Sequence, residues 1–303
     1  METLLMTGAS RGLGRAAAEE ILRARPDVHL VVTARGGALA DDLARSTGNA
    51  NVSALPCDLA SGRSVHAAAG VLTSRLDSGA LPPLRGFVGN AGLQLTSRAH
   101  ATEDGIEPTF AVNVLANHLL VRLLWSRFTA PGRIVLVGSD THFGDLRHNL
   151  GMVPAPRWEP VAELARPRPD ARTATDGRRA YSTSKLAVIH LVHALARRLP
   201  DGVDAYTFNP GYVPGTGLVR DAGPAVRFLS RTLLRGLTAT PLAMSATEAG
   251  GLLADAVIGP RPGPTGAYID RRTVTPSAPA SYDHDREEEL WRELCALDPV
   301  EKL

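Results

Sequence analysis

Short apolar runs alternate along the chain with stretches in which apolar residues return every three or four positions. The first run, TLLMT, stops at Gly8, and Leu13, Ala17 and Ile21 then mark one face of a helix that ends near Pro26. VHLVVTA predicts a second strand, residues 39–46 a short helix, and NVSALP a third strand. A longer helix is expected over residues 61–76, and LRGFVG supplies strand four. A long buried helix over residues 107–128, strand five at GRIVLVG and a strong helix over residues 178–199 follow. VDAYTF and GAYID complete the strands. These runs lack polar alternation, so both faces of each strand must be covered. Strand–helix–strand repetition therefore predicts an α/β fold with an open, doubly wound parallel sheet, right-handed crossovers and one domain over residues 1–270.

Two regions break the rhythm. Residues 140–177, rich in Pro, Arg, Asp and Gly, stand between strand five and the next helix, where a handful of residues would suffice. They are expected to form a cover over whatever lies at the end of that strand. Beyond Asp270 the tail, residues 271–303, is Pro- and Ser-rich and then helical in DREEELWRELCAL, with Leu290, Trp291 and Leu294 expected to pack down.

Composition narrows the class. Hydrophobic residues make up 44% and charged residues 21%, as in a chain with a packed core. The net charge of +2, from 33 basic and 31 acidic residues, predicts no attraction to nucleic acid. Cys57 and Cys295 form neither a zinc spacing nor a disulfide framework, which fits a reducing cytoplasm. The longest apolar stretch, FAVNVLANHLLVRLLW, is interrupted by Asn113, Asn117, His118 and Arg122, so no membrane span is predicted, and no metal site is expected.

The turn TGASRGLG joins the first strand to the first helix, with Gly8, Gly12 and Gly14 spaced by Ser10, Arg11 and Leu13. Glycines here let backbone amides and a helix N-terminus approach a pyrophosphate, so the turn predicts a dinucleotide site. A carboxylate at the end of strand two would take the ribose hydroxyl of NAD, yet the strand ends in Ala34 and Arg35. Arg35 and Arg11 instead suit a 2′-phosphate, which points to NADPH/NADP+.

The chain has two lysines, and Lys185 stands four residues after Tyr181 on a predicted helix. Residues so spaced share a face. A phenol ordinarily ionises near pH ~10, too high for easy proton exchange near neutrality. A neighbouring ammonium is expected to lower that value, and lysine's compact, rotatable donors suit the place better than a planar guanidinium.

TGASRGLG, the NAG of Asn90, Ala91 and Gly92, Asn113 in FAVNVLAN, Ser139 in IVLVGS, YSTSK and the NPG ending in Pro210 and Gly211 occur in this order over residues 3–270. The set resembles the short-chain dehydrogenases/reductases. The resemblance implies a Rossmann-like sheet and a catalytic group of Ser139, Tyr181, Lys185 and Asn113. In it Tyr181 exchanges the proton, Ser139 holds the substrate oxygen, Lys185 binds the nicotinamide ribose, and Asn113 anchors a water. It also implies cofactor contacts at Asp58, Leu59, Pro210, Gly211, Val213 and Thr216, and a homodimer or homotetramer built on helices 110–128 and 180–199.

Ser139 and Tyr181 are 42 residues apart, a long spacing that resembles retinol dehydrogenases and light-dependent protochlorophyllide reductases. The latter carry a cysteine after the lysine, whereas the position two after Lys185 here is Ala187, so a chlorophyll precursor is not the expected substrate. His142 and Leu218 are candidate substrate contacts, the second within an apolar stretch after the NPG motif. Together these features predict an NADPH-dependent reductase of a ketone or aldehyde on a medium-sized, mostly apolar molecule of bacterial secondary metabolism. The alternatives are reduction of an activated C=C bond, or an NADPH-sensing regulator without turnover.

Overall fold

The computed structural model describes residues 1–149, 151–214 and 244–298. Thr216 and Leu218, expected at the cofactor and substrate, lie outside the described residues.

Seven strands follow the predicted order: β1 (Glu2–Thr7), β2 (Val28–Ala34), β3 (Val52–Pro56), β4 (Leu84–Gly89), β5 (Phe128–Val137), β6 (Val203–Asn209) and β7 (Tyr268–Asp270). An eighth, β8 (Thr273–Thr275), lies in the stretch read as tail. The sheet order is β3-β2-β1-β4-β5-β6-β7-β8. Every neighbouring pair is parallel except β7 and β8, so the sheet is mostly parallel with one antiparallel edge. β8 escaped prediction because three residues, two of them exposed, show no periodicity.

Alternate residues of each strand feed two separate cores. Leu5, Val31, Leu55, Phe87, Ile134 and Leu136 point to one face. Leu4, Met6, Leu30, Val32, Val88 and Val135 point to the other. This accounts for strands apolar at every position. The first face is covered by α3 (Gly62–Asp77), by α4 and by α7 (Ala174–Ala196); α4 is one run made of Pro108–Phe110, Ala111–Leu115 and Ala116–Leu123. The second is covered by α1 (Gly12–Ala24), α2 (Leu39–Thr47) and α8 (Ala246–Ile258).

Residues 140–173 hold a 3-10 turn (Asp140–Phe143) and two short helices, α5 (Leu146–Asn149) and α6 (Val161–Leu164). From residue 154 onward this segment is packed rather than loose. Val161 is fully buried, Ser182 Oγ donates to the Pro154 carbonyl at 2.8 Å, and Glu159 pairs with Arg168 at 2.8 Å and Arg98 at 3.4 Å. Residues 154–172 of the expected cover thus pack against α7 and the loop before α4.

The tail is part of the domain. After β8 it forms a short turn and then α9 (His284–Ala296), whose Leu290 and Leu294 are fully buried. Glu287 on α9 takes bonds from His193 of α7 at 2.9 Å and from Arg197, which caps the end of that helix. The Trp291 ring meets His118 of α4 edge-on at 4.9 Å. Part of the α4–α7 surface expected to pair with a second copy therefore carries α9. Among the described residues no helix is long and apolar enough to cross a membrane.

Candidate active site

The functional residues gather where the parallel strands end. β1 and β4 are neighbours whose following connections run to opposite faces, a geometry that leaves a crevice at their carboxyl ends. Gly8 closes β1 with φ +73°, a left-handed value that a side chain would resist. Asn90, just after β4, crosses the crevice: its amide donates to the Thr7 and Gly8 carbonyls at 3.2 and 3.0 Å. Ala91 N donates to Thr7 Oγ1 at 3.0 Å, a partner that the sequence reading missed because a strand-end threonine looks like any other.

A Cβ on Gly14 would meet both the Gly8 carbonyl oxygen and Asn90 Nδ2 at 2.2 Å, so its bareness lets the helix close on the turn and on Asn90. The first turn of α1 has no acidic residue and no side-chain cap. Its leading amides are left for an anion, beside the Ser10 and Arg11 turn. Arg35 stands exposed just past β2. Asp58 is exposed after β3 and accepts from Ala60 N at 3.1 Å; the cap of α3 is Ser61. Leu59 packs against the first core, and Val213 against the second.

Tyr181 and Lys185 face inward from α7, 5% and 3% exposed. The capping box of Thr173 and Asp176 starts this helix, two turns before Tyr181. The Ser139 side chain is a hydrogen-bonding neighbour of the Tyr181 phenol, an interaction that favours phenolate. Lys185 Nζ donates to the carbonyl of Val137 at 2.7 Å and lies 5.6 Å from the centre of the Tyr181 ring. The end of β5 and the residues just after it thus meet α7 at both positions, Val137 with Lys185 and Ser139 with Tyr181.

The electrostatics reverse one expectation. Burial pushes the Tyr181 phenol up to about 12, with the Ser139 hydrogen bond opposing and the Asp140 charge adding to the rise. Burial also pulls Lys185 down to about 8. The expected lowering of the phenol by its lysine is therefore overridden: desolvation disfavours phenolate and ammonium alike, and the ammonium is turned to a carbonyl.

Asn113 lies in the π-helical part of α4 and is 1% exposed. Its Oδ1 accepts from Leu93 N at 2.8 Å; its Nδ2 donates to the Leu93 carbonyl at 3.0 Å and to Ser184 Oγ at 2.9 Å. The side chain thus ties the loop after β4 to the catalytic helix. Its own carbonyl accepts from Asn117 Nδ2 at 2.8 Å.

His142 does not offer itself to a substrate. It is 1% exposed, with Nδ1 2.7 Å from the Ser139 carbonyl oxygen and Nε2 accepting from Ala278 N at 3.1 Å. Both ring nitrogens are used inside the protein.

Asn209 and Asp140 belong to the site's frame and were not predicted. Asn209, fully buried at the end of β6, donates to Asp140 and, at 2.9 Å, to Asp270, and accepts from Gly211 N at 3.1 Å. It holds the Pro210–Gly211 turn, where Gly211 has φ +70°, against the segment after Ser139. Its place in the NPG motif was the only available signal.

The sequence model of the short chain dehydrogenase family matches residues 2–148. A Streptomyces sp. (strain C5) protein named as a daunorubicin C-13 ketoreductase is 33% identical, the match covering 87% of this chain and 86% of that protein. The chloroplastic protochlorophyllide reductase of Chlamydomonas reinhardtii is 30% identical over 95% of this chain and 73% of its own. Among solved structures, NADPH-bound carbonyl reductase from chicken fatty liver superposes with a TM-score of 0.62 at 17% identity, covering 91% of this chain and 98% of that one.

Proposed function

Since the chain belongs to the short-chain dehydrogenase family of oxidoreductases, we propose that it is an NADPH-dependent reductase of ketones or aldehydes on medium-sized, mostly apolar molecules. The observation that carries the reading is the buried Tyr181 phenol set beside the Ser139 side chain, with Lys185 one turn along α7 and 5.6 Å from the ring centre.

The uncapped N-terminus of α1 and the Gly8 turn fit a pyrophosphate, and Arg11 and Arg35 fit a 2′-phosphate. Bound there, NADPH supplies hydride to the carbonyl carbon. Ser139 and Tyr181 both donate hydrogen bonds to the carbonyl oxygen, so negative charge developing on it is stabilised where it forms. Tyr181 then gives its proton to the alkoxide. A phenol held near 12 stays protonated at neutral pH, the form this step consumes, and an alkoxide is basic enough to take its proton. Lys185, still largely ammonium at neutral pH, stabilises the phenolate left behind.

The relative named for reducing a ketone supports a carbonyl substrate. Likeness to a protochlorophyllide reductase favours a second reading, reduction of an activated C=C bond. Incubating the protein and NADPH with a panel of aromatic and aliphatic ketones, aldehydes and enones, then assigning products by NMR, decides between them. Alcohols support the proposal, saturated ketones the second reading. NADPH binding without any turnover overturns both and favours the regulator.

A further inference from the structure

We propose that the C-terminal segment sets the geometry of Ser139, with His142 as the positioning residue that links them. The link rests on the reductase reading only in the role it gives Ser139.

The argument begins with hydrogen-bond bookkeeping on one ring. The Ser139 carbonyl oxygen can only accept, so His142 Nδ1, 2.7 Å away, carries the proton. That leaves Nε2 bare, and it accepts from the Ala278 amide at 3.1 Å. Burial draws the imidazole down to about 4, so the neutral form and this tautomer persist at neutral pH. The ring is also wedged, its centroid 4.1 Å from that of Phe143 and 5.0 Å from that of Tyr268. It cannot swing away from either partner.

Ala278 is itself held. Ser281 Oγ donates to its carbonyl at 2.7 Å, Ser277 and Ser281 share a bond at 2.6 Å, and Ser277 N donates to Tyr282 Oη at 3.1 Å. The Ser281 carbonyl lies 3.1 Å from His193 Nδ1 on α7. A continuous chain of contacts thus runs from α7 through residues 277–282 and His142 to the peptide that follows Ser139. Fixing that carbonyl fixes the peptide plane on which the Ser139 side chain is mounted. Asp140–Phe143 make a 3-10 turn that Ser139 Oγ caps by accepting from Thr141 N at 3.3 Å and that Asp140 braces against Asn209 and Tyr268. A histidine chosen for packing alone would not need both nitrogens matched to backbone groups as far apart in the chain as those of Ser139 and Ala278.

The test uses three substitutions in full-length protein, each made with and without Ser139→Ala. His142→Phe keeps a ring and deletes both bonds. His142→Asn can keep the donor to Ser139 and loses the acceptor for Ala278; His142→Gln can do the reverse. Kinetics use a carbonyl compound turned over by the wild type, and hydrogen–deuterium exchange follows residues 139–143 and 277–282. Expected are a kcat roughly 10–100-fold lower for His142→Phe, lesser losses for both half-link variants, and an NADPH KM within about twofold of wild type. Neither half-link variant should recover full kcat, and neither should lower activity further once Ser139 is alanine, because the effect passes through that residue. Exchange should rise in both segments together. Equal losses with and without Ser139 overturn the proposal, as does full kcat in His142→Asn, or unchanged exchange at 139–143. If His142→Phe fails to fold, the two half-link variants carry the same comparison. If the wild type reduces no carbonyl compound, the reductase reading fails while the exchange data still decide this link.

Discussion

Lys185 Nζ hydrogen-bonds to the Val137 carbonyl at 2.7 Å while standing 5.6 Å from the centre of the Tyr181 ring. Its charge is thus close enough to act on the phenol, yet it is anchored to the sheet and not to the hydroxyl. A cation so placed can stabilise a phenolate formed during turnover without making one beforehand.

The pH dependence follows from this pair. Lys185 is charged below about 8 and neutral above it, and Tyr181 keeps its proton to about 12. In the reduction direction kcat/KM should therefore be flat around neutrality and fall as pH rises through about 8, the ammonium being lost before the phenol proton. A pH–rate profile checks this. Lys185→Met should be slow throughout and lack that limb.

Tyr181→Phe removes the proton donor but keeps the ring. Turnover should drop by about 10²–10⁴-fold, the range of general acid catalysis. NADPH affinity, read by fluorescence titration, should change by less than about threefold. Intact turnover in a folded variant would refute the assignment.

Arg35→Ala should raise the NADPH KM by about tenfold, one charge-assisted contact at an exposed side chain, worth about 1.5 kcal/mol, being lost, and leave the NADH KM unchanged. Steady-state kinetics with both cofactors measure it. Equal effects on the two would remove Arg35 from the 2′-phosphate site.

Gly14→Ala puts a methyl group 2.2 Å from both the Gly8 carbonyl and Asn90 Nδ2, one of them backbone that cannot step aside. Overpacking of this kind destabilises by about 1–3 kcal/mol. Thermal melting should show a loss of several degrees, and NADPH binding should weaken more than stability alone explains, since the turn itself is displaced.

Glu287→Ala removes the buried carboxylate that fastens α9 to α7 and leaves His193 and Arg197 without it. Breaking a fully buried pair costs about 3–5 kcal/mol. Arg197 is 38% exposed, so solvent takes up part of the loss and about 2–3 kcal/mol is expected. Denaturant titration provides the number.

Much of this molecule is written locally. β2 and β4 begin and end at the residues their apolar runs predict, because a strand covered on both faces needs only its own side chains to declare itself. The catalytic helix starts earlier than expected, at Ala174, since its capping box lies in a segment whose prolines and glycine suggested a loop. Ser139, Tyr181 and Lys185 could be named from motif order, and the structure brings them together. Thr7, Asp140 and Asn209 acquire their roles from partners on other elements.

The strand–helix alternation and the glycine turn were determined by the sequence alone, since each depends on periodicity or spacing within a few residues, and the candidate site residues could be named from the order of their motifs. Tertiary structure decided the rest. It raised the phenol where a neighbouring lysine predicted a fall, because desolvation depends on which surfaces close over a group. It bound both nitrogens of His142 and wove the tail into the sheet and the catalytic turn, because hydrogen-bond partners far apart in the chain are chosen only when the chain is folded.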